Sequence, residues 1–259
     1  MAGESPRDLM EVALALAEEA GAITLKYFRG DFEVETKADA SVVTVADRET
    51  ETFLREAIAK RFPGDGILGE EFGEVRPDAR RRWIVDPIDG TFSFVHGVPL
   101  YGVLIGIEQG GESVAGVIHM PALGETVAAA RGEGCHSQGR RVSVSATAGL
   151  SAALWMSSEM NLERFPWRAA AVRRLASAAG HGRTWGDCYG YLMVASGRAD
   201  VMIDPVMSVW DCAALLPVIE EAGGRFTDWR GRRTIRGGNA VATNGLLHDE
   251  VIALLKGRA

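Results

Sequence analysis

At 259 residues, with 47% hydrophobic and 24% charged side chains, the chain has the make-up of an ordinary soluble globule and enough length for a sizeable core. Its formal charge of -7 argues against a broad nucleic-acid face, which needs clustered Lys and Arg, and suits a site that collects cations. Three cysteines, Cys135, Cys188 and Cys212, lack Cys-x-x-Cys spacing and argue against a disulfide framework or a zinc site, and no unbroken apolar run is long enough to span a bilayer.

The acidic N-terminus, with Glu4, Asp8 and Glu11, is unlike a signal peptide, so the expected setting is cytoplasmic, with no membrane or nucleic-acid partner. Ser5-Pro6-Arg7-Asp8 supplies an N-cap, a proline at the first helical position and an acid in the first turn. A helix follows, with Leu9, Val12, Leu16, Ala20, Ile23 and Tyr27 as its apolar stripe and Gly30 as its stop. Residues 32–44 alternate polar and apolar types, with Lys37, Asp39 and Ser41 in a loop before Val42-Val43. Asp47 opens a second helix that buries Phe53, Leu54, Ala57, Ile58 and Phe62 and ends at Pro63-Gly64-Asp65-Gly66. Ile67-Leu68 is a short strand delivering Glu70 and Glu71. Neighbours on a strand point to opposite faces, so only one of these acids can easily face a site, and Glu71 is read as the solvated one.

Trp83-Ile84-Val85 reads as a buried strand that should stop at Asp86, because Pro87 cannot donate to a ladder. Ile88 separates Asp86 from Asp89, Gly90 allows close backbone approach, and Thr91 begins a helix whose first N–H groups can face an anion. Two hard oxygen ligands beside a phosphate-sized turn suggest Mg2+ and phosphoryl chemistry. Asp-Pro followed by Asp-Gly is equally ordinary turn vocabulary, and both readings stand on these residues alone.

Residues 103–107 and 114–118 form a hairpin across Gln109-Gly110-Gly111-Glu112, and strands follow at 126–130 and 141–144. Helices followed by antiparallel strands suit a layered α+β body better than regular βαβ alternation. A change of texture near residues 146–150 marks a soft internal boundary. Beyond it come a strand at 153–156, a helix starting at Phe165-Pro166, a helix after Gly186-Asp187, and the strand 201–203 ending at Asp204. Trp210-Asp211 opens a helix that runs over Cys212 to Ala222 and closes at Gly223-Gly224. Strands at 226–227 and 240–243 and a helix over 246–255 complete the chain. Neither a Walker-type phosphate loop nor a dinucleotide fingerprint is present, which favours hydrolysis over transfer from ATP.

Thr44-Val45-Ala46-Asp47, Gly69-Glu70-Glu71, Trp83 to Thr91 and Val209-Trp210-Asp211 together resemble the inositol monophosphatase family of Mg2+-dependent, lithium-sensitive phosphatases. The resemblance runs from the first helix to Ala222-Gly223-Gly224 and the strand after it. It implies an α+β fold, a layered α-β-α-β-α sandwich of the inositol monophosphatase / fructose-1,6-bisphosphatase type. One phosphatase domain over residues 1–259, with two halves, would assemble as a homodimer. It also implies two or three Mg2+ ions, inhibition by Li+, and a small phosphate ester as substrate. Asp86 would bridge two metals, Glu70 and the Ile88 carbonyl would complete the first site, and Asp89 and Asp211 would hold the second. Thr91 and Glu70 would hold the attacking water, Asp47 would accept the Thr91 proton, and the Gly90 and Thr91 amides would cradle the phosphate. Lys37 would belong to a mobile loop near the site.

Within the family, the stretch Trp185 to Tyr191, with Gly197 to Asp200 and Asp204-Pro205, looks like the histidinol-phosphatase branch. Asp187 and Asp204 would add two carboxylates where inositol-type relatives tend to have a small neutral residue and Glu, favouring an ester that carries an amine and an imidazole. Arg183 is a candidate substrate contact. Phe92 stands where the histidinol branch often has Lys, so an inositol-1-monophosphatase of broad specificity is the alternative.

Overall fold

The computed structural model describes residues 4–37, 42–159 and 166–257; Asp39, Ser41 and the helix start at Phe165 lie outside them. Helix α1 (Pro6–Tyr27) is closed at its N-terminus by a reciprocal Ser5–Asp8 capping box. Strands β1 (Val34–Thr36) and β2 (Val42–Thr44) make a two-stranded antiparallel ribbon that feeds α2 (Val45–Arg61). The N-cap of α2 is Thr44, with Asp47 at the third helical position completing a second capping box.

The first sheet is built from β3 (Gly66–Gly69), β4 (Gly73–Val75) and β5 (Arg81–Asp89), then, after the short helix α3 (Thr91–Val95), from β6 (Gly102–Gln109), β7 (Glu112–Met120), β8 (Glu125–Ala130), β9 (Gly134–Ser137) and β10 (Arg140–Val142). Its order is β10-β9-β8-β7-β6-β5-β3-β4, with β3 and β5 parallel and the other pairs antiparallel. Past a 3₁₀ turn at Leu150–Ala152 come β11 (Leu154–Met156), α4 (Pro166–Ala178), β12 (His181–Arg183), α5 (Asp187–Ala195) and β13 (Val201–Asp204). They are followed by α6 (Val209–Ala213), α7 (Leu215–Glu221), β14 (Arg225–Thr227), β15 (Ala240–Thr243) and α8 (His248–Lys256). The second sheet has the order β12-β11-β13-β15-β14.

Side-chain alternation along the strands produces five layers, α-β-α-β-α, as the family resemblance implies. Trp83, Val85, Val103, Ile105 and Val117 pack beneath α1 and α2, whereas Ile84, Leu104 and Ile118 face α5, α6 and α7 on the other side. Met202 and Ala242 meet that middle helical layer from the second sheet, while Val201, Ile203 and Val241 turn to α4 and α8.

Two expectations are corrected. β5 does not stop at Asp86 but continues to Asp89, with its pairing to β6 shifted between those two residues. Pro87 sits inside this irregularity, where no ladder donor is required of it. The helix expected over 212–222 is broken at Ala214 into α6 and α7. Pro217 has no N–H for the Ala213 carbonyl, so it belongs in the first turn of a new helix. The junction rests on the first sheet at Gly106 and Gly116, which face each other across β6 and β7. A Cβ on Gly106 would fall 2.4 Å from the Ala213 carbonyl carbon, and one on Gly116 would fall 2.2 Å from Ala214 O. Absence of side chains at this pair lets α6 lie against the sheet, which carries Asp211 to the end of β5.

Candidate active site

Three carboxylates come from two elements. Asp86 and Asp89 flank the irregularity in β5, and Asp211 sits in the first turn of α6, where its Oδ2 accepts from Ser208 N at 2.6 Å. Oxygens of Asp86, Asp89 and Asp211 all lie within 4.8 Å of one another. Asp86 Oδ1 accepts from Ile88 N at 3.0 Å, and Asp89 Oδ2 accepts from Cys188 N at 2.5 Å. Burial pushes the Asp86 carboxyl well above the usual range, and the charges of Glu70, Asp89, Asp211 and Asp47 push it further the same way. Asp89 is raised well above its ordinary value by burial and then by Asp187 and Asp211; Asp211 is raised by burial. Hard oxygen donors converging in a buried place, each disfavouring the other's charge, fit a divalent cation of the Mg2+ type.

Glu70 lies in the turn after β3, outside the group of three whose oxygens converge, and lines the same cleft as they do. Both it and Glu71 bind one ammonium: Lys37 Nζ donates to Glu70 Oε1 at 2.8 Å and to Glu71 Oε1 at 2.7 Å. The two acids lie in a turn, so strand alternation does not separate them, and the Glu71 side chain is only 6% exposed rather than solvated. Burial raises Glu70 to about 7, against the opposing pull of Lys37.

Thr91 opens α3 directly after Gly90, whose left-handed backbone (φ 86°) turns the chain. Its Oγ1 donates to the Ile88 carbonyl at 2.9 Å and lies 3.3 Å from Asp47 Oδ1. The other Asp47 oxygen accepts from Thr44 N at 2.7 Å and from Thr44 Oγ1 at 2.6 Å. One carboxylate therefore serves both as helix cap and as a partner for Thr91. Burial raises Asp47 to about 6.

Glu70, Asp86, Ile88, Asp89, Gly90, Thr91 and Asp211 border a cleft of about 810 Å³ that is also lined by Phe92, Ser158, Asp187, Tyr191 and Asp204. Asp187 N donates to Ser158 Oγ at 2.7 Å, and the Asp187 carboxylate, raised to about 6 by burial, lies 3.5 Å from Ser93 Oγ. Asp204 is 3% exposed, and both its oxygens are engaged: Oδ1 accepts from Ser158 N at 2.9 Å and Oδ2 from the Tyr191 hydroxyl at 3.0 Å. Arg183 is not among the residues lining the cleft; its guanidinium lies 6.0 Å from the Trp185 ring centroid and donates to Gly182 O at 2.7 Å.

The structure thus gathers Glu70, Asp86, Ile88, Asp89, Gly90, Thr91, Asp187, Asp204 and Asp211 about one cleft, with Asp47 behind Thr91; Asp187 adjoins the turn itself, since a Cβ on Gly90 would fall 2.9 Å from Asp187 Oδ2. Sequence reasoning missed Ser158, which belongs to no motif, and Glu51, whose carboxylate accepts from Glu71 N at 2.7 Å. Glu51 did leave a signal, since an acid at 51 continues the buried stripe of Asp47, Leu54 and Ile58 on α2.

A family model described as the inositol monophosphatase family matches residues 5–258. The histidinol-phosphatase of Chlorobaculum parvum is 48% identical over 248 residues, covering 95% of this chain and 96% of that protein. The histidinol-phosphatase of Mycobacterium tuberculosis is 43% identical over 254 residues, covering 96% and 97%. Among solved structures, the extragenic suppressor protein suhB from Bartonella henselae matches with a TM-score of 0.90 at 31% identity, covering 96% of this chain and 98% of that one.

Proposed function

The chain belongs to the inositol monophosphatase family and is a phosphoric monoester hydrolase, and we propose that it releases phosphate from L-histidinol phosphate with Mg2+ as its metal. The observation that carries the chemistry is the convergence of Asp86, Asp89 and Asp211, with Glu70 and the Ile88 carbonyl beside them. In this reading these groups hold two or three Mg2+ ions, and Li+ inhibits. The bound metal would supply a lowered water pKa and neutralise charge on the leaving oxygen.

The chain's own groups do the rest. Thr91 directs its hydroxyl proton toward Ile88 O and Asp47, which leaves its lone pairs to accept a hydrogen bond from the attacking water and so orient it; Glu70 would hold that water from the opposite side. Gly90 and Thr91 offer their amides to the phosphate, with Asp89 and Asp211 near the ester oxygen. Asp187 presents a carboxylate to the leaving group, which favours a cationic alcohol such as histidinol over an uncharged polyol. The relatives named histidinol-phosphatase support that choice of ester. We read the protein as a cytoplasmic homodimer of one phosphatase domain, residues 1–259, whose halves meet near residues 146–150.

The test is phosphate release from histidinol phosphate, inositol 1-phosphate and fructose 1,6-bisphosphate, each with Mg2+ and with EDTA. Histidinol phosphate should give the highest kcat/KM, only with metal. Preference for the inositol ester would install the inositol-1-monophosphatase alternative, which the Thr91-Phe92-Ser93-Phe94-Val95-His96 run favours.

A further inference from the structure

Glu51 follows Asp47 by one turn on α2, and its side chain is 0% exposed. A carboxylate so placed must have its lone pairs filled from within the protein. Its partners are Glu71 N, which donates to Oε2 at 2.7 Å, Phe72 N, which donates to Oε1 at 3.2 Å, and Arg55 Nη1, which donates to Oε1 at 2.9 Å. Arg55 Nη1 also donates to Gly73 O at 3.0 Å. Among the described residues, the bonds of this Glu51–Arg55 pair to other elements therefore go to the short turn between β3 and β4 that begins with Glu70, and to Gly73 where β4 starts. On its other side Glu51 presses on Gly69, where a Cβ would fall 2.1 Å from Oε1.

Two consecutive N–H groups held by one carboxylate fix two consecutive peptide planes, and with them the direction in which Glu70 leaves the backbone. We propose that Glu51 is a positioning residue for Glu70: it sets the turn so that Glu70 lines the same cleft as Asp86 and Thr91, and α2 thereby orients both arms of the water-holding pair, Thr91 through Asp47 and Glu70 through Glu51. The inference rests on the site reading given under the proposed function. A neutral amide could not do the same, because Gln offers one acceptor and turns an NH₂ group toward an N–H.

The experiment measures Mn2+ binding by electron paramagnetic resonance, alongside kcat and KM for phosphate release, in wild type, Glu51→Gln and Arg55→Lys. Loss of a group that orients a metal ligand typically weakens metal affinity about 10–100-fold. Glu51→Gln should show that loss and a fall in kcat of similar size, with KM for the ester within about twofold of wild type. Arg55→Lys keeps the charge beside Glu51 but offers a different donor geometry, and should give the same pattern in milder form; it is the working variant if Glu51→Gln does not fold. Wild-type Mn2+ affinity and kcat in variants that have merely lost thermal stability would overturn the proposal and leave Glu51 a structural residue. Wild type that binds Mn2+ but releases no phosphate would instead retire the phosphatase reading, and the binding comparison would still decide the role of Glu51.

Discussion

Asp187 donates its backbone N–H to Ser158 Oγ at 2.7 Å while held in the left-handed region at φ 51°. That conformation costs an ordinary side chain roughly 1–2 kcal/mol, and Asn or Asp less. Asp187→Asn keeps the shape and suits the backbone while removing one charge from a crowded site. The metal-free variant should therefore be as stable in urea as wild type, or more so. Its ratio of kcat/KM for histidinol phosphate to that for inositol 1-phosphate should fall about tenfold to a hundredfold, the roughly 1.5–3 kcal/mol scale of a charge-assisted hydrogen bond. An unmoved ratio would mean that the substrate cation sits elsewhere.

Metal and acid should compete at Glu70, and the neighbouring Asp47 and Asp187 carboxylates are raised in the same direction. Burial raises Asp47 and Asp187 to about 6 and Glu70 to about 7, from unfolded values of about 4. Native protein without metal thus binds more protons than the unfolded chain at intermediate pH. Raised groups stabilise the fold below their unfolded pKa and lose that contribution as pH climbs through 6 to 7. In EDTA, stability should drop from pH 5 to pH 7.5. Mg2+ at a concentration about a hundred times its Kd at pH 7.5 should add about 2.7 kcal/mol there, and the same concentration should add less at pH 5, where protons weaken binding. Asp89→Asn should abolish turnover, leave the fold intact and shrink the Mg2+ increment. An EDTA-insensitive melting temperature would remove the metal assignment.

Thr91→Ala separates positioning from binding. Because Thr91 Oγ1 bonds Ile88 O and faces Asp47, its loss should lower kcat far more than it raises KM. A change confined to KM would reassign the hydroxyl to substrate binding.

Within Trp83 to Thr91 the strand end was not legible, since β5 runs on to Asp89, whereas the proline, the glycine turn and the acids were, because they are local chemistry. The Ser5 cap and the β6–β7 hairpin were legible for the same reason. What escaped depends on partners distant in sequence. The passage of β5 beyond Pro87 is a matter of its register with β6, and the break at Ala214 follows both from Pro217 and from the glycine pair on which the junction rests. Glu71 seemed solvated because nothing nearby revealed that Lys37 would bind both acids. Ser158 matters only through Asp187 and Asp204, each about 30 to 46 positions away.

His248 offers an acid-stability test away from the cleft. Its ring lies between Thr227 Oγ1, 3.0 Å from Nε2, and Thr243 Oγ1, 3.1 Å from Nδ1. Burial, aided by the nearby Arg225 charge, holds its pKa down at about 4, against about 6.5 in an unfolded chain. A depressed folded pKa means the contribution is present above 6.5 and is lost as pH falls toward 4. The stability difference between wild type and His248→Asn should narrow by about 1.4 kcal/mol per pH unit through that window. Urea midpoints from pH 7.5 to 4.5 would check it, and a pH-independent difference would refute it.

Asp204 supplies the sharpest test of how the leaving-group end is organised. Its two oxygens are already engaged by Ser158 N and the Tyr191 hydroxyl, so the acid is better placed to hold Ser158, and through it Asp187, than to meet substrate directly. Asp204→Asn can keep the Ser158 bond through its amide oxygen, while Tyr191 can reverse its role and accept from the amide nitrogen. Discrimination between the cationic and neutral esters should therefore fall less in Asp204→Asn than in Asp187→Asn, by about threefold rather than tenfold or more, which is about 0.7 kcal/mol. Ser158→Ala should resemble Asp187→Asn more closely, because it releases the Asp187 N–H that the serine hydroxyl holds. Measuring kcat/KM for histidinol phosphate and inositol 1-phosphate in all three variants gives the order. If Asp204→Asn costs the cationic ester more than Asp187→Asn does, Asp204 itself meets the substrate cation and the supporting role fails.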